Sequence, residues 1–194
     1  MSELPSTSAG SGVAADWSRE RRTAWWQPGR ALIGTIRAYQ RAAERGGLLG
    51  VVGKKWAAVR HAWWSAVTGC DIPLNARIGG GLAMPHANGV VIHPKAVVGV
   101  NALIQHQVTI GMKRHDDARL PILGDGVDIG AGAKVLGAIT IGDGASIGAN
   151  AVVVRDVPAG AVAVGIPARV IGQRGDASAA VAVDGAREGV SGAA

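Results

Sequence analysis

Between Leu123 and Val157 the chain reads LGDGVDIGAGAKVLGAITIGDGASIGANAVVVRDV, and a large aliphatic residue returns every six positions: Leu123, Ile129, Val135, Ile141, Ile147 and Val153. Four places after each comes a small or apolar residue, namely Val127, Ala133, Ile139, Ala145, Ala151 and Val157. Glycine directly follows the aliphatic in four of the six units. An α-helix puts residues six apart on different faces, and an amphipathic strand alternates every two residues without singling out one position in six. One short strand plus one turn per unit satisfies the period: the aliphatic points inward, and glycine or asparagine takes the backbone conformations that other residues resist. Three such units close a triangular coil. Stacked coils bury ladders of Ile, Val and Leu, which is how a solenoid builds its core from local units.

The same rule holds upstream. Ile92, Val98, Ile104 and Ile110 repeat at six, with Ala96, Ala102 and Val108 as the second series, and Ile72, Ile78 and Met84 precede them. The register slips between Met84 and Ile92, in the stretch MPHANGVVI. It breaks again at Met112 to Ile122, MKRHDDARLPI, where five charged residues and His115 replace the pattern. Because the repeat resumes on both sides, residues 112–122 are expected to form a loop that leaves the prism and returns, a common place for function.

Outside the repeat the character changes. Residues 1–15 and 174–194 are rich in Gly, Ala and Ser and poor in large apolar side chains, so they are expected to be disordered tails. Residues 16–70 hold all six tryptophans, and Arg30 to Glu44 and Lys54 to Thr68 have helix-forming composition. Gly46, Gly47 and Gly50 are expected to mark a turn between helices. The fold class is therefore mainly β: a β-helix of hexapeptide repeats over residues 71–173, preceded by a short α-helical segment. Trp56, Trp63 and Trp64 are expected to pack against the first coil, and Gly79 to Gly81 to be turn residues.

Composition narrows the chemistry. With 20 Lys and Arg against 14 Asp and Glu the net charge is +6, which suits a polyanionic partner without choosing one. The basic residues are scattered and the aromatics lie in the helical segment, so nucleic acid is not an expected partner. Cys70 is the only cysteine, which excludes an internal disulfide and fits a reducing cytoplasm. No signal-peptide pattern and no transmembrane segment is expected. No His, Cys or carboxylate spacing matches a metal site, so no metal is expected.

A prism of this kind is packed inside, so chemistry falls to outward polar residues. The candidates are His86, His93, His106, His115, Asp71, Asp128 and Arg119. His86 sits where the register slips, and a neutral imidazole there can accept a hydroxyl proton at cellular pH if a neighbour fixes its tautomer. Asp71, fifteen residues earlier and nearly one coil away, can supply the carboxylate of a His–Asp pair. Spacing alone leaves a second reading open, a histidine that merely caps a turn. His106, twenty residues on, can stack on His86 or stand outward as a solvated polar residue.

The stretches DIPLNARIGGGLAMPHANGVVIHPKAVVGVNALIQHQVTIG (71–111) and VDIGAGAKVLGAITIGDGASIGANAVVVRDVPAGAVAVGIPARVIG (127–172) resemble the serine acetyltransferases of the hexapeptide-repeat acyltransferase superfamily. The resemblance implies a left-handed parallel β-helix, a homotrimer, and transfer of acetyl from acetyl-CoA to the hydroxyl of L-serine for cysteine biosynthesis. It implies that His86, in HANGV, is the general base and Asp71 its partner carboxylate. It assigns Arg119 to the acceptor's carboxylate, and Gly111, Ala131, Lys134 and Ala149 to acetyl-CoA in a groove between subunits. The acidic residue that precedes the family's histidine is Pro85 here, and the histidine that follows its loop arginine is Leu120. The sequence ends SGAA instead of the isoleucine that docks into cysteine synthase, which weighs against that complex. Two alternatives stand beside serine: a sugar hydroxyl in exopolysaccharide or capsule assembly, and a trimeric scaffold without catalysis.

Overall fold

A computed structural model describes residues 12–114 and 119–175. Five coils stack along one axis, and nearly every strand is two or three residues long. The first coil carries β1 (Arg77–Ile78); the second β2 (Val91–Ile92), β3 (Val97–Val98) and β4 (Leu103–Ile104). The third carries β5 (Thr109–Gly111), β6 (Ile122–Leu123) and β7 (Asp128–Ile129); the fourth β8 (Lys134–Leu136), β9 (Thr140–Ile141) and β10 (Ser146–Ile147). The fifth carries β11 (Val152–Val153) and β12 (Ala161–Gly165), and β13 (Ala168–Gln173) folds back antiparallel on β12. The strands form three faces, β2-β5-β8-β11, β1-β3-β6-β9, and β4-β7-β10-β12 with β13 at the edge. Within each face the coil-to-coil pairs are parallel and in register. This is a left-handed parallel β-helix.

The six-residue rule acts through burial. Ile92, Ile104, Ile110, Leu123, Ile129, Val135 and Ile141 are each at most 1% exposed, and Ala102, Val108, Val127, Ala133 and Ala145 close the corners behind them at 0%. Removing such a side chain from water is worth about 1.5–3 kcal/mol, so the ladders carry the stability of the prism. Corners need left-handed backbone. Gln107, Gly132 and Asn150 stack at one corner with φ of 57°, 73° and 56°, in reach of which glycine and asparagine come most cheaply.

Two helices close the first coil. α1 (Pro28–Arg45) starts with proline in its first turn, where a missing N–H costs nothing, and lays Leu32, Ile33 and Ile36 into the same core as Ile72 and Ile92. α2 (Gly47–Thr68) follows after Gly46 and ends at Gly69, whose φ of 63° terminates the helix in the left-handed region. The helices begin earlier than composition indicated, and Gly50 lies inside α2, where its bare Cα lets Ala42 of α1 approach: a Cβ would stand 2.7 Å from the Ala42 carbonyl.

Several expectations are corrected. Trp56 and Trp63 are each 63% exposed, and of the three α2 tryptophans only Trp64 packs on the core, because α2 turns just its Gly50, Ala57 and Thr68 side inward. Gly79 and Gly80 do more than turn. The Gly80 Cα lies under Trp17, in a 3-10 helix over Trp17–Glu20, so a Cβ would stand 2.6 Å from that ring. The inserted loop ends at Pro121, since Ile122 pairs with Val97 and Thr140. The expected tail over 1–15 is anchored at its end: Asn101 Nδ2 donates to the Ala14 carbonyl at 2.8 Å. Residues 1–11 and 176–194 of the two expected tails, and His115 in the loop, lie outside the described residues.

Candidate active site

His86 stands on a corner that is larger than its counterparts. Met84 and Ile92 are eight residues apart where the repeat asks for six, and the two extra residues push Pro85 to Gly89 out of the prism. The next corner down obeys the rule, so His106 falls beneath His86: the ring centroids are 6.4 Å apart with planes at 81°. The outward reading of His106 is thereby corrected in part. Its ring faces His86, and its Nδ1 is shielded from solvent without a hydrogen-bond partner among the described residues.

Asp71 flanks the same corner. Its amide donates to Val90 at 2.8 Å, its carbonyl accepts from Ile92 at 2.9 Å, and Gly89 donates to Thr68 at 3.1 Å, so the strand entering the first coil lies directly against the chain leaving His86. The two side chains make no mutual hydrogen bond in this chain. The Asp71 charge is also felt at His61 of α2, whose pKa burial lowers while the Ile72 backbone and, more weakly, Asp71 pull it upward.

A hollow of about 460 Å³ opens beside His86. Pro85 and Asn88 line it from the corner, and Arg19, Trp26 and Arg30 from the N-terminal segment. α1 is seated tightly there, since a Cβ on Gly29 would stand 2.7 Å from the Met84 carbonyl. Sequence reasoning missed Arg19, Trp26 and Arg30. They belong to no repeat, and only the packing of α1 on the first coil brings them to the histidine.

The positions assigned to acetyl-CoA run down from the same edge. Ala131 and Ala149 stack at the His86 corner of lower coils, the Asn150 amide donating to the Ala131 carbonyl at 2.7 Å. Lys134, on β8 beside them, reaches the Gln107 carbonyl with its Nζ at 2.6 Å. Gly111, at the far end of β5, is buried. Arg119 is elsewhere: it borders a second hollow of about 410 Å³ with Arg77, Lys95 and Thr140, on the β1-β3-β6-β9 face. One chain alone does not bring Arg119 to His86.

The remaining candidates are occupied. His93 Nδ1 accepts from the Lys95 amide at 3.1 Å. Asp128 lies 3.9 Å from the Arg174 guanidinium; burial raises its pKa, and Arg174 and Arg19 oppose that. Among the described residues no group of three or more His, Cys, Asp or Glu is placed to hold a metal ion.

Stacked hexapeptide repeats with a histidine on a bulged corner liken the chain to the hexapeptide-repeat transferases. Within that class its likeness is to the serine acetyltransferases. It is 60% identical over 103 residues to serine acetyltransferase 1, chloroplastic, of Arabidopsis thaliana, covering 53% of this chain and 33% of that one. It is 47% identical over 113 residues to the serine acetyltransferase of Mycobacterium tuberculosis, covering 55% and 47%. Among solved structures, the Brucella abortus serine acetyltransferase in complex with coenzyme A matches with a TM-score of 0.67 and 36% identity, over 77% of this chain and 58% of that one. The Neisseria gonorrhoeae enzyme in complex with serine matches with a TM-score of 0.63 and 40% identity, over 75% and 57%. The chain thus spans between a third and a half of the length of these curated relatives. No protein-family model matches it.

Proposed function

We propose that the protein is an acetyl-CoA-dependent O-acetyltransferase that acetylates the hydroxyl of L-serine, the first committed step toward cysteine. The observation that carries this reading is the likeness, over three quarters of the chain, to serine acetyltransferases solved with coenzyme A and with serine. Acetyl-CoA, when bound, supplies the acetyl group as a thioester. His86 takes the proton from the acceptor hydroxyl as its oxygen attacks the thioester carbon, and returns that proton to the departing sulfur. Asp71, which flanks this corner without bonding His86 in the free chain, is assigned to hold the imidazole tautomer once the acceptor is bound, with backbone amides near the groove stabilising the oxyanion. The edge of small residues at Ala131, half-buried, and Ala149, exposed, fits an extended pantetheine arm, and Lys134 a phosphate.

Arg119 meets the acceptor's carboxylate across the groove between two copies of a homotrimer. A guanidinium grips a carboxylate with two parallel bonds. The cytoplasm suits the single buried Cys70.

A second reading has one observation in its favour. Among the described residues the hollow beside His86 is lined by Trp26, Arg19 and Arg30 and by no carboxylate, which suits a sugar hydroxyl better than an amino acid's ammonium group. Release of free CoA from acetyl-CoA, measured with L-serine and with a panel of sugars and sugar nucleotides, separates the two. Serine-dependent release supports the first reading, and release with sugars alone supports the second. Absence of release with either leaves a scaffold.

A further inference from the structure

α2 is covered on one side only. Its inward strip packs on α1, while Leu49, Val52, Trp56, Val59 and Trp63 form a continuous outward stripe at spacings of three and four residues, each 57–83% exposed. A helix that is apolar on nearly all sides is normally buried. Something must cover this face in the working protein.

The charge around the stripe says what. From Arg21 to Cys70 the chain carries nine Lys or Arg and a single carboxylate, Glu44. α2 itself has Lys54, Lys55 and Arg60 and no acid. Two more tryptophans extend the apolar surface from the preceding segment: Trp25 is 83% exposed, and Trp26 lies edge-on to Trp64 of α2 with centroids 5.9 Å apart. Tryptophans with aliphatics on one helix face, bordered by cations without acids, are the composition of a helix lying in the plane of a lipid headgroup layer. Among the described residues no helix is long and apolar enough to cross a bilayer, so contact is along the surface.

We propose that the outward face of α2 docks this protein on the surface of an anionic membrane, the apolar stripe entering the headgroup boundary and the flanking cations meeting lipid phosphates. Acidic lipid headgroups attract a basic segment of this kind, and salt weakens the attraction. The inference is independent of which acceptor is acetylated.

The test is co-sedimentation of the full chain with vesicles of phosphatidylcholine alone or of phosphatidylcholine with phosphatidylglycerol, at low and high salt, beside sedimentation velocity without lipid. The expected result is binding to the anionic vesicles, weakened by salt, and reduced about tenfold or more by Trp56→Ser with Trp63→Ser. These side chains point outward, so the double variant keeps its thermal midpoint and its CoA release with a soluble acceptor. Binding untouched by the double substitution, or no binding to anionic vesicles, overturns the proposal. Should the wild type ignore vesicles and the double variant sediment as a smaller particle, the stripe is instead an interface between copies.

Discussion

The guanidinium of Arg37 on α1 donates to both oxygens of the Glu20 carboxylate, at 2.8 Å and 3.0 Å, and both side chains are under 10% exposed. The same Arg37 donates to the Ile78 and Gly79 carbonyls at 2.8 Å and 2.6 Å, and Glu20 accepts from the Leu82 amide at 3.1 Å. The pair therefore ties the N-terminal segment, α1 and the first coil together where no further coil continues the backbone ladder. Removing one partner strands the other's charge. Glu20→Ala is expected to cost about 3–5 kcal/mol, read as a lower midpoint in urea denaturation.

Catalysis makes its own demand. His86→Ala is expected to lower kcat about 10²- to 10⁴-fold with an unchanged circular dichroism spectrum, since the side chain stands on a bulged corner outside the ladders. Asp71→Asn is expected to cost less, because the imidazole remains. Rescue separates an orienting role from a structural one: Asp71→Glu, which keeps the carboxylate, should recover part of the kcat lost in Asp71→Asn, with KM for acetyl-CoA unmoved in both. A kcat unchanged by Asp71→Asn removes Asp71 from the pair.

How much of this was legible depended on whether a residue obeys the period. Ile129 and Val135 could be placed inside the prism from spacing alone, because a solenoid's core is a sum of local units. The bulged corner was equally visible, as eight residues where six belong. Nothing in the period marks Arg19, Trp26 or Arg30, whose position beside His86 depends on how α1 sits on Met84. Arg119 was legible as a loop cation and not as a neighbour of His86, since the two lie on different parts of one chain. α2 misled for a physical reason: tryptophan composition suggests burial, and only the crossing of α2 over α1 shows that Trp56 and Trp63 face away.

If Arg119 meets the acceptor's carboxylate from a neighbouring copy, its loss removes binding more than chemistry. Arg119→Ala is expected to raise KM for L-serine roughly tenfold or more with a smaller change in kcat, and KM for acetyl-CoA should not move. Equal effects on both substrates would place Arg119 outside the acceptor site.

The glycines at the first coil test the N-terminal seat. Because a Cβ on Gly80 would fall 2.6 Å from the Trp17 ring and 2.7 Å from the Ala15 side chain, Gly80→Ala must push Trp17 off the coil. Trp17 also lies under the Arg37 guanidinium, 5.3 Å from its ring centroid. The expected cost is about 1–3 kcal/mol, with a changed tryptophan emission spectrum; Gly126→Ala, where a Cβ meets nothing, reports backbone strain alone.

Acid stability turns on His61. Its Nδ1 lies 2.9 Å from the Thr35 hydroxyl, which itself donates to the Leu32 carbonyl at 2.6 Å, so the ring is fixed between α2 and the buried side of α1. Burial holds its pKa below the ordinary histidine value, against the opposing pull of Ile72 and Asp71. The unfolded chain therefore binds this proton more readily than the folded one. The contribution is complete above the ordinary value near 6.5 and is lost as pH falls below it. The thermal midpoint is expected to drop between about pH 7 and pH 5, and His61→Gln, which keeps a partner for Thr35, should flatten that drop by up to about one proton's worth of slope. A midpoint with the same pH dependence in both proteins would mean that His61 titrates alike folded and unfolded, and that the acid sensitivity belongs to the carboxylates.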